Sequence, residues 1–156
     1  MSAIFVLAIV LDQVSKWLVL ANINQREIIP VIPNFFNLTL TFNRGAAFGM
    51  LSGLPDGTRQ LVLAVTTLIA LSSVLYFLMR DYHGNLRAQL CLAMIVGGAF
   101  GNIIDRLRIG AVVDFLDVYW GDYHWPAFNI ADSSIFVGVV FLILMRPARQ
   151  TAEHSQ

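Results

Sequence analysis

The sequence predicts an all-α membrane protein of four transmembrane helices, carrying a small β-rich subdomain outside the bilayer. Three observations lead there. The 156 residues are 57% hydrophobic and only 13% charged, with a mean hydropathy of +0.68; soluble domains run about 45–50% apolar and about 25% charged. Four apolar runs can each cross a hydrocarbon core of about 30 Å with some adjustment. Between the first two lies Asn37-Leu38-Thr39-Leu40-Thr41-Phe42, whose period-two alternation suits a strand with one apolar face.

The first span covers about residues 3–23 and is broken by Asp12 and Lys16. It lacks the basic leader and the uninterrupted apolar stretch of a secretory signal, so it reads as a retained span. The second, 61–79, is bracketed by Arg59 and Arg80, and the third covers about 88–104. The fourth, 128–145, is short, and Pro147 limits its continuation. Residues 1–156 form one membrane-embedded domain on this reading. Four spans put both termini on one side and two longer loops, 24–59 and 106–127, on the other. In the first loop, Gly45 and Gly49 permit turns around Ala46-Ala47-Phe48. In the second, Tyr119, Trp120, Tyr123 and Trp125 fit an interfacial aromatic belt. Arginines fall on both sides, so the positive-inside count does not decide orientation.

Several function classes drop out. A net charge of +0 gives no electrostatic reason to expect nucleic acid. The lone Cys91 lies in an apolar run and reads as a small buried hydrophobe. His83, His124 and His154 follow no metal-ligand spacing, and the zinc-peptidase, nucleophile-elbow and phosphate-loop signatures are missing. No metal site is expected from these spacings.

The polar residues inside apolar runs remain. Asp12 and Lys16 stand at i and i+4 on one face of the first span, which suits a structural ion pair orienting that helix. On the third span, Ala93, Gly97 and Gly101 form a small-residue ridge for a neighbouring helix. Gly98, Asn102, Asp105 and Arg106 fall on an adjoining face. Asn102 could donate to a substrate carbonyl and Arg106 could clamp a substrate backbone; Asp105 fits a helix-terminus cluster with Arg106.

Two aspartates hold most interest. Only thirteen residues separate Asp132 from Arg146, about 20 Å of helix, so Asp132 is drawn toward the hydrocarbon edge, where an ionised carboxylate is expensive. It could be the N-cap of the fourth span, or a chemical group, or both. Asp114 lies one polar loop upstream, where it could also be a loop acid, as Asp117 and Asp122 are read.

Five blocks occur in order: Asp12-Gln-x-Ser-Lys16, Asn43-x-Gly45-Ala-Ala-Phe-Gly49, Gly97-Gly-Ala-x-Gly-Asn102-x-x-Asp105-Arg106, Val113-Asp114-Phe115 and Phe128-Asn-x-Ala-Asp132-Ser133. Together they resemble the bacterial lipoprotein signal peptidase, or signal peptidase II, family. The resemblance implies an aspartic endopeptidase, multi-pass in the inner membrane with cytoplasmic termini. Its active site would sit near the periplasmic face, beside an outer-face β-rich subdomain. It implies that Asp114 and Asp132 are catalytic, that Asn43, Asn102, Arg106 and Asn129 bind substrate, and that Asp12, Lys16 and Asp105 are structural. The implied partners are membrane lipid and a diacylglyceryl-modified prolipoprotein, cut on the amino side of its lipidated cysteine by a monomer without cofactors. The rival expectation is a small proton-coupled transporter or channel component that uses the same intramembrane carboxylates.

Overall fold

The computed structural model describes residues 2–45, 53–81 and 84–145. Among the described residues, four helices and four strands follow in order: α1 (Ser2–Asn22), β1 (Ile28–Ile32), β2 (Phe36–Asn43), α2 (Asp56–Asp81), α3 (Leu86–Ile109), β3 (Val112–Trp120), β4 (Tyr123–His124) and α4 (Ile130–Leu144). The strands form one antiparallel sheet in the order β1-β2-β3-β4. The turns around Ala46–Phe48 expected from the sequence lie outside the described residues.

The helix α1 is inside out by the standards of a water-soluble protein. Its buried residues are Ala8, Asp12, Lys16 and Val19, one stripe at helical spacing. Val6, Leu7, Val10, Leu11, Val14, Trp17 and Leu18 face outward and are exposed. Such a helix is stable where the surrounding medium is itself apolar. Among the described residues, α1 and α3 are long and apolar enough to cross a membrane, while α4 is apolar but has 15 residues.

The central element is α3, which meets α1, α2, α4 and β3. Asn85 caps its start by accepting from the backbone N–H groups of Arg87 and Ala88. It ends at Gly110, whose φ of 71° suits a residue without a Cβ and whose N–H donates to the Arg106 carbonyl at 3.0 Å. Small residues set its approach to both neighbours. A Cβ on Gly97 would lie 2.9 Å from Ala8 Cβ and from the Phe5 carbonyl oxygen on α1, and one on Gly101 would strike the Asp12 carboxylate. Gly98 serves a second contact, since a Cβ there would strike the Ala131 backbone of α4. The expected ridge therefore packs α1 through Gly97 and Gly101, and Gly98 admits the start of α4.

Residues 106–127, expected as a loop, are mostly ordered elements. The first four finish α3, and β3 follows after a two-residue turn. The loop expectation missed this strand because it is buried on both faces from Val112 to Phe115, which erases the alternation a half-exposed strand displays. The expected strand at Asn37–Phe42 is present within β2, which pairs with β3 so that Thr41 faces Asp114 and Asn43 faces Val112. Val19, Ile23, Leu40, Val113 and Phe115 form a buried cluster that seats the sheet on the end of α1. Beyond Gly121 (φ 59°) the chain returns along β3, and Phe128 bonds back to Phe115 and Leu116 before α4 begins. That return brings the first turn of α4 beside Asp114.

Candidate active site

The polar residues singled out along the sequence come from α1, β2, α3, β3 and α4, and they meet where the helices join the sheet. They fall into two tiers.

The lower tier surrounds Lys16. Its Nζ lies 2.8 Å from Asp12 Oδ2 and 2.8 Å from Asp105 Oδ2, and it donates to Asn102 Oδ1 at 3.0 Å. Asp12 is 0% exposed and Lys16 2%, so the charges survive only because each is compensated. Asp12 Oδ1 accepts the Ala131 N–H at 2.9 Å, and Asp105 Oδ2 accepts the Val113 N–H at 3.1 Å. Gln13 Nε2 donates to Asp12, Asp105 and the Gly101 carbonyl at 3.0–3.1 Å. Asp105 thus pairs with Lys16 rather than clustering with Arg106 at a helix terminus. The helix continues to Ile109, which leaves Asp105 on the buried face. The sequence signal for Gln13 is an amide inside an apolar span, beside the charged pair that draws more notice.

The upper tier holds Asp114 and Asp132. Asn129 Nδ2 donates to Asp114 Oδ1 at 2.7 Å, and Asn43 Nδ2 donates to Asp114 Oδ2 at 3.0 Å. Asp132 Oδ1 accepts from Asn102 Nδ2 at 2.7 Å. Asn129 is fully buried, and its Oδ1 accepts the Asp132 backbone N–H at 2.9 Å. It is therefore the N-cap of α4, one of the roles left open to Asp132 by the sequence. The helix begins at Ile130, so its cap lies three residues before Asp132, and Asn caps as well as Asp does. Asp132 instead stands in the first turn, where the helix dipole favours a carboxylate and the cap leaves its side chain free for other work.

Asp114 is buried in β3, and its carboxyl is pushed up to about 7 from an ordinary 3.8. Burial is the main cause and the neighbouring Asp132 charge the second, opposed by the Asn43 and Asn129 bonds and by Lys16. Arg106 lies within the electrostatic reach of Asp132, Asp114 and Asp105. Among the described residues it is ion-paired to none of them, so its donors remain open to a ligand.

Asp117 is not a loop acid. It is buried within β3, accepting from Asn37 Nδ2 at 2.8 Å and lying 2.8 Å from His124 Nδ1. The His124 ring stacks on Tyr119 with centroids 4.9 Å apart. This group ties the β3–β4 return to the sheet, away from the two tiers. Metal-ligand spacing says nothing of His124 as a partner for Asp117, which becomes visible only once β3 is known to be a strand.

Residues 4–146 match the family model described as signal peptidase (SPase) II. The chain is 47% identical over 138 residues to the lipoprotein signal peptidase of Syntrophus aciditrophicus, covering 88% of this chain and 86% of that protein. It is 49% identical to the lipoprotein signal peptidase of Neisseria meningitidis serogroup C, covering 88% and 82%. Among solved structures, a bacterial membrane enzyme determined by the in meso method at 2.3 Å resolution superposes with a TM-score of 0.77. It is 38% identical, over 91% of this chain and 84% of that one. The transporter alternative finds no support in these matches. With polar residues from each of the five sequence blocks meeting in two adjoining tiers and the family model matched over nearly its whole length, this chain belongs to the signal peptidase II family.

Proposed function

We propose that this protein removes the signal peptide from diacylglyceryl-modified prolipoproteins, cutting on the amino side of the lipidated cysteine by an aspartic mechanism. The observation that carries the reading is the placement of Asn129. One amide side chain caps the helix that bears Asp132 and donates to Asp114, so the two carboxylates share a single rigid mount. In this reading Asp114 and Asp132 share one proton, because two close carboxylates do not both ionise cheaply. The ionised member takes a proton from water as the water oxygen bonds to the scissile carbonyl carbon. The protonated member gives its proton to the carbonyl oxygen. Collapse of that adduct breaks the C–N bond, and the departing amine takes a proton from the dyad.

Asn43, Asn102, Arg106 and Asn129 line the substrate side, with Arg106 supplying open donors for the peptide backbone. Asp12, Lys16 and Asp105 hold the helices together. Four spans cross the bacterial inner membrane with cytoplasmic termini, and the sheet lies at the periplasmic face. The outward apolar residues of α1 support this embedding. Substrate acyl chains stay in the bilayer, so partitioning concentrates the precursor at the site of a monomeric enzyme.

The test is cleavage by purified protein in detergent of one precursor prepared with and without its diacylglyceryl group, read by mass. Cleavage of the lipidated form alone, directly before the cysteine, is expected. Equal cleavage of both forms, or of neither, would overturn the reading.

A further inference from the structure

The third hydrogen bond of Lys16 leaves the lower tier. An ammonium has three N–H groups and no acceptor, and those of Lys16 go to Asp12, Asp105 and Asn102 Oδ1. The atom of Asn102 that faces it must therefore be the carbonyl oxygen. The amide nitrogen then faces the other way, toward Asp132 Oδ1 at 2.7 Å. Asn129 is oriented by a similar constraint, since its oxygen takes the Asp132 backbone N–H and leaves its nitrogen for Asp114 and for Asn102 Oδ1, at 2.7 and 3.2 Å.

An amide turned by 180° keeps its shape and exchanges donor for acceptor. Turned that way, Asn102 would set oxygen lone pairs against Asp132 and an N–H against Lys16, which has nothing to accept it. Removing the cation removes the Lys16 part of that penalty, and the turn is then resisted by the 2.7 Å bond to Asp132 and the 3.2 Å bond from Asn129 alone.

We propose that Lys16 is a positioning residue for hydrolysis, acting through Asn102 to hold an N–H donor on Asp132 so that this carboxylate stays aimed and can serve as the charged member of the pair. The inference rests on the aspartic reading of the site and adds a role beyond holding the helices together. The charged groups that face this network are Asp12 on α1, Asp105, Arg106 and Arg108 on α3, Asp114 on β3 and Asp132 on α4.

The test uses the full chain in detergent with the lipidated precursor, comparing wild type, Lys16→Met/Asp105→Asn, Asn102→Leu and their combination. Losing one carboxylate with the ammonium keeps the lower tier at its original single negative charge. Lys16→Met/Asp105→Asn should lower kcat about 10²-fold through misplacement of Asp132, with KM changed less than about twofold. The acid-side midpoint of its kcat profile should rise by about one pH unit. Added to Asn102→Leu, the same change should cost no further kcat. A loss that leaves the midpoint in place, or that multiplies with Asn102→Leu, makes Lys16 purely structural and overturns the inference. If the double variant does not fold, Asn102→Asp decides, because it still accepts from Lys16 but offers Asp132 no N–H. The same kcat loss is then expected, and unchanged kcat overturns the inference. Failure of the wild type to cut the precursor would sink the peptidase reading itself, a result distinct from any outcome confined to the variants.

Discussion

Two buried groups of carboxylates lie side by side in this molecule and differ in what completes them. In the lower tier, Asp12 and Asp105 share the Lys16 ammonium, the Gln13 amide and two backbone N–H groups, so both are saturated with donors. In the upper tier, Asp114 and Asp132 receive only amide N–H donors among the described residues, and no described cation touches them. Asp132 is also partly exposed, and its Oδ2 accepts no hydrogen bond among the described residues. Equal residue types thus acquire opposite properties. Saturation fixes charge and geometry, whereas incomplete compensation leaves a proton free to move.

The comparison breaks most severely at the dyad. Asp114→Asn and Asp132→Asn keep shape but cannot exchange the proton, and each should lower kcat by about 10⁴-fold or more while the protein still folds. Single-turnover cleavage by the purified variants checks this. At Asp12 in the lower tier the loss should fall on stability instead. Asp12→Leu leaves the Ala131 N–H orphaned and Lys16 short of a partner, at a cost of about 3–5 kcal/mol, read as a lower yield of folded protein. Between the tiers, Gly98→Leu would press on the Ala131 backbone and displace the first turn of α4. It should cost about 1–3 kcal/mol and reduce activity per folded molecule. Away from both tiers, His124→Ala should cost about 1 kcal/mol in thermal stability and leave cleavage nearly unchanged.

The contrast also has a pH signature in stability. Between about pH 4 and 7 the folded chain keeps a proton on Asp114 that the unfolded chain has released. Folding free energy should therefore be most favourable below the unfolded value of 3.8 and weaken as pH rises toward 7. Unfolding midpoints across that range should slope downward in the wild type and less so in Asp114→Asn.

Much of this was legible from residue types and spacing. The Asp12–Lys16 pair follows from i, i+4 geometry inside an apolar run, and β2 follows from its alternation, because both signals are local. Others needed the fold. Strand β1 (Ile28-Ile29-Pro30-Val31-Ile32) is apolar at every position and exposed along its whole length, so no alternation marks an inner face; as an edge strand it tolerates the proline. Strand β3 hides because Asp114 and Asp117 interrupt an apolar stretch that is buried on both sides. The capping role went to Asn129 rather than Asp132 because either type serves at a cap, and only the position of the first helical turn separates them.

The central claim, that the upper tier works as two carboxylates sharing a proton, is tested most directly by the pH dependence of wild-type kcat on a lipidated precursor. Activity should be bell-shaped and fall on the alkaline side with a midpoint near 7, where Asp114 gives up the shared proton. A rate that instead climbs to a plateau extending past pH 9 would contradict a proton-sharing pair and point to a base other than these aspartates.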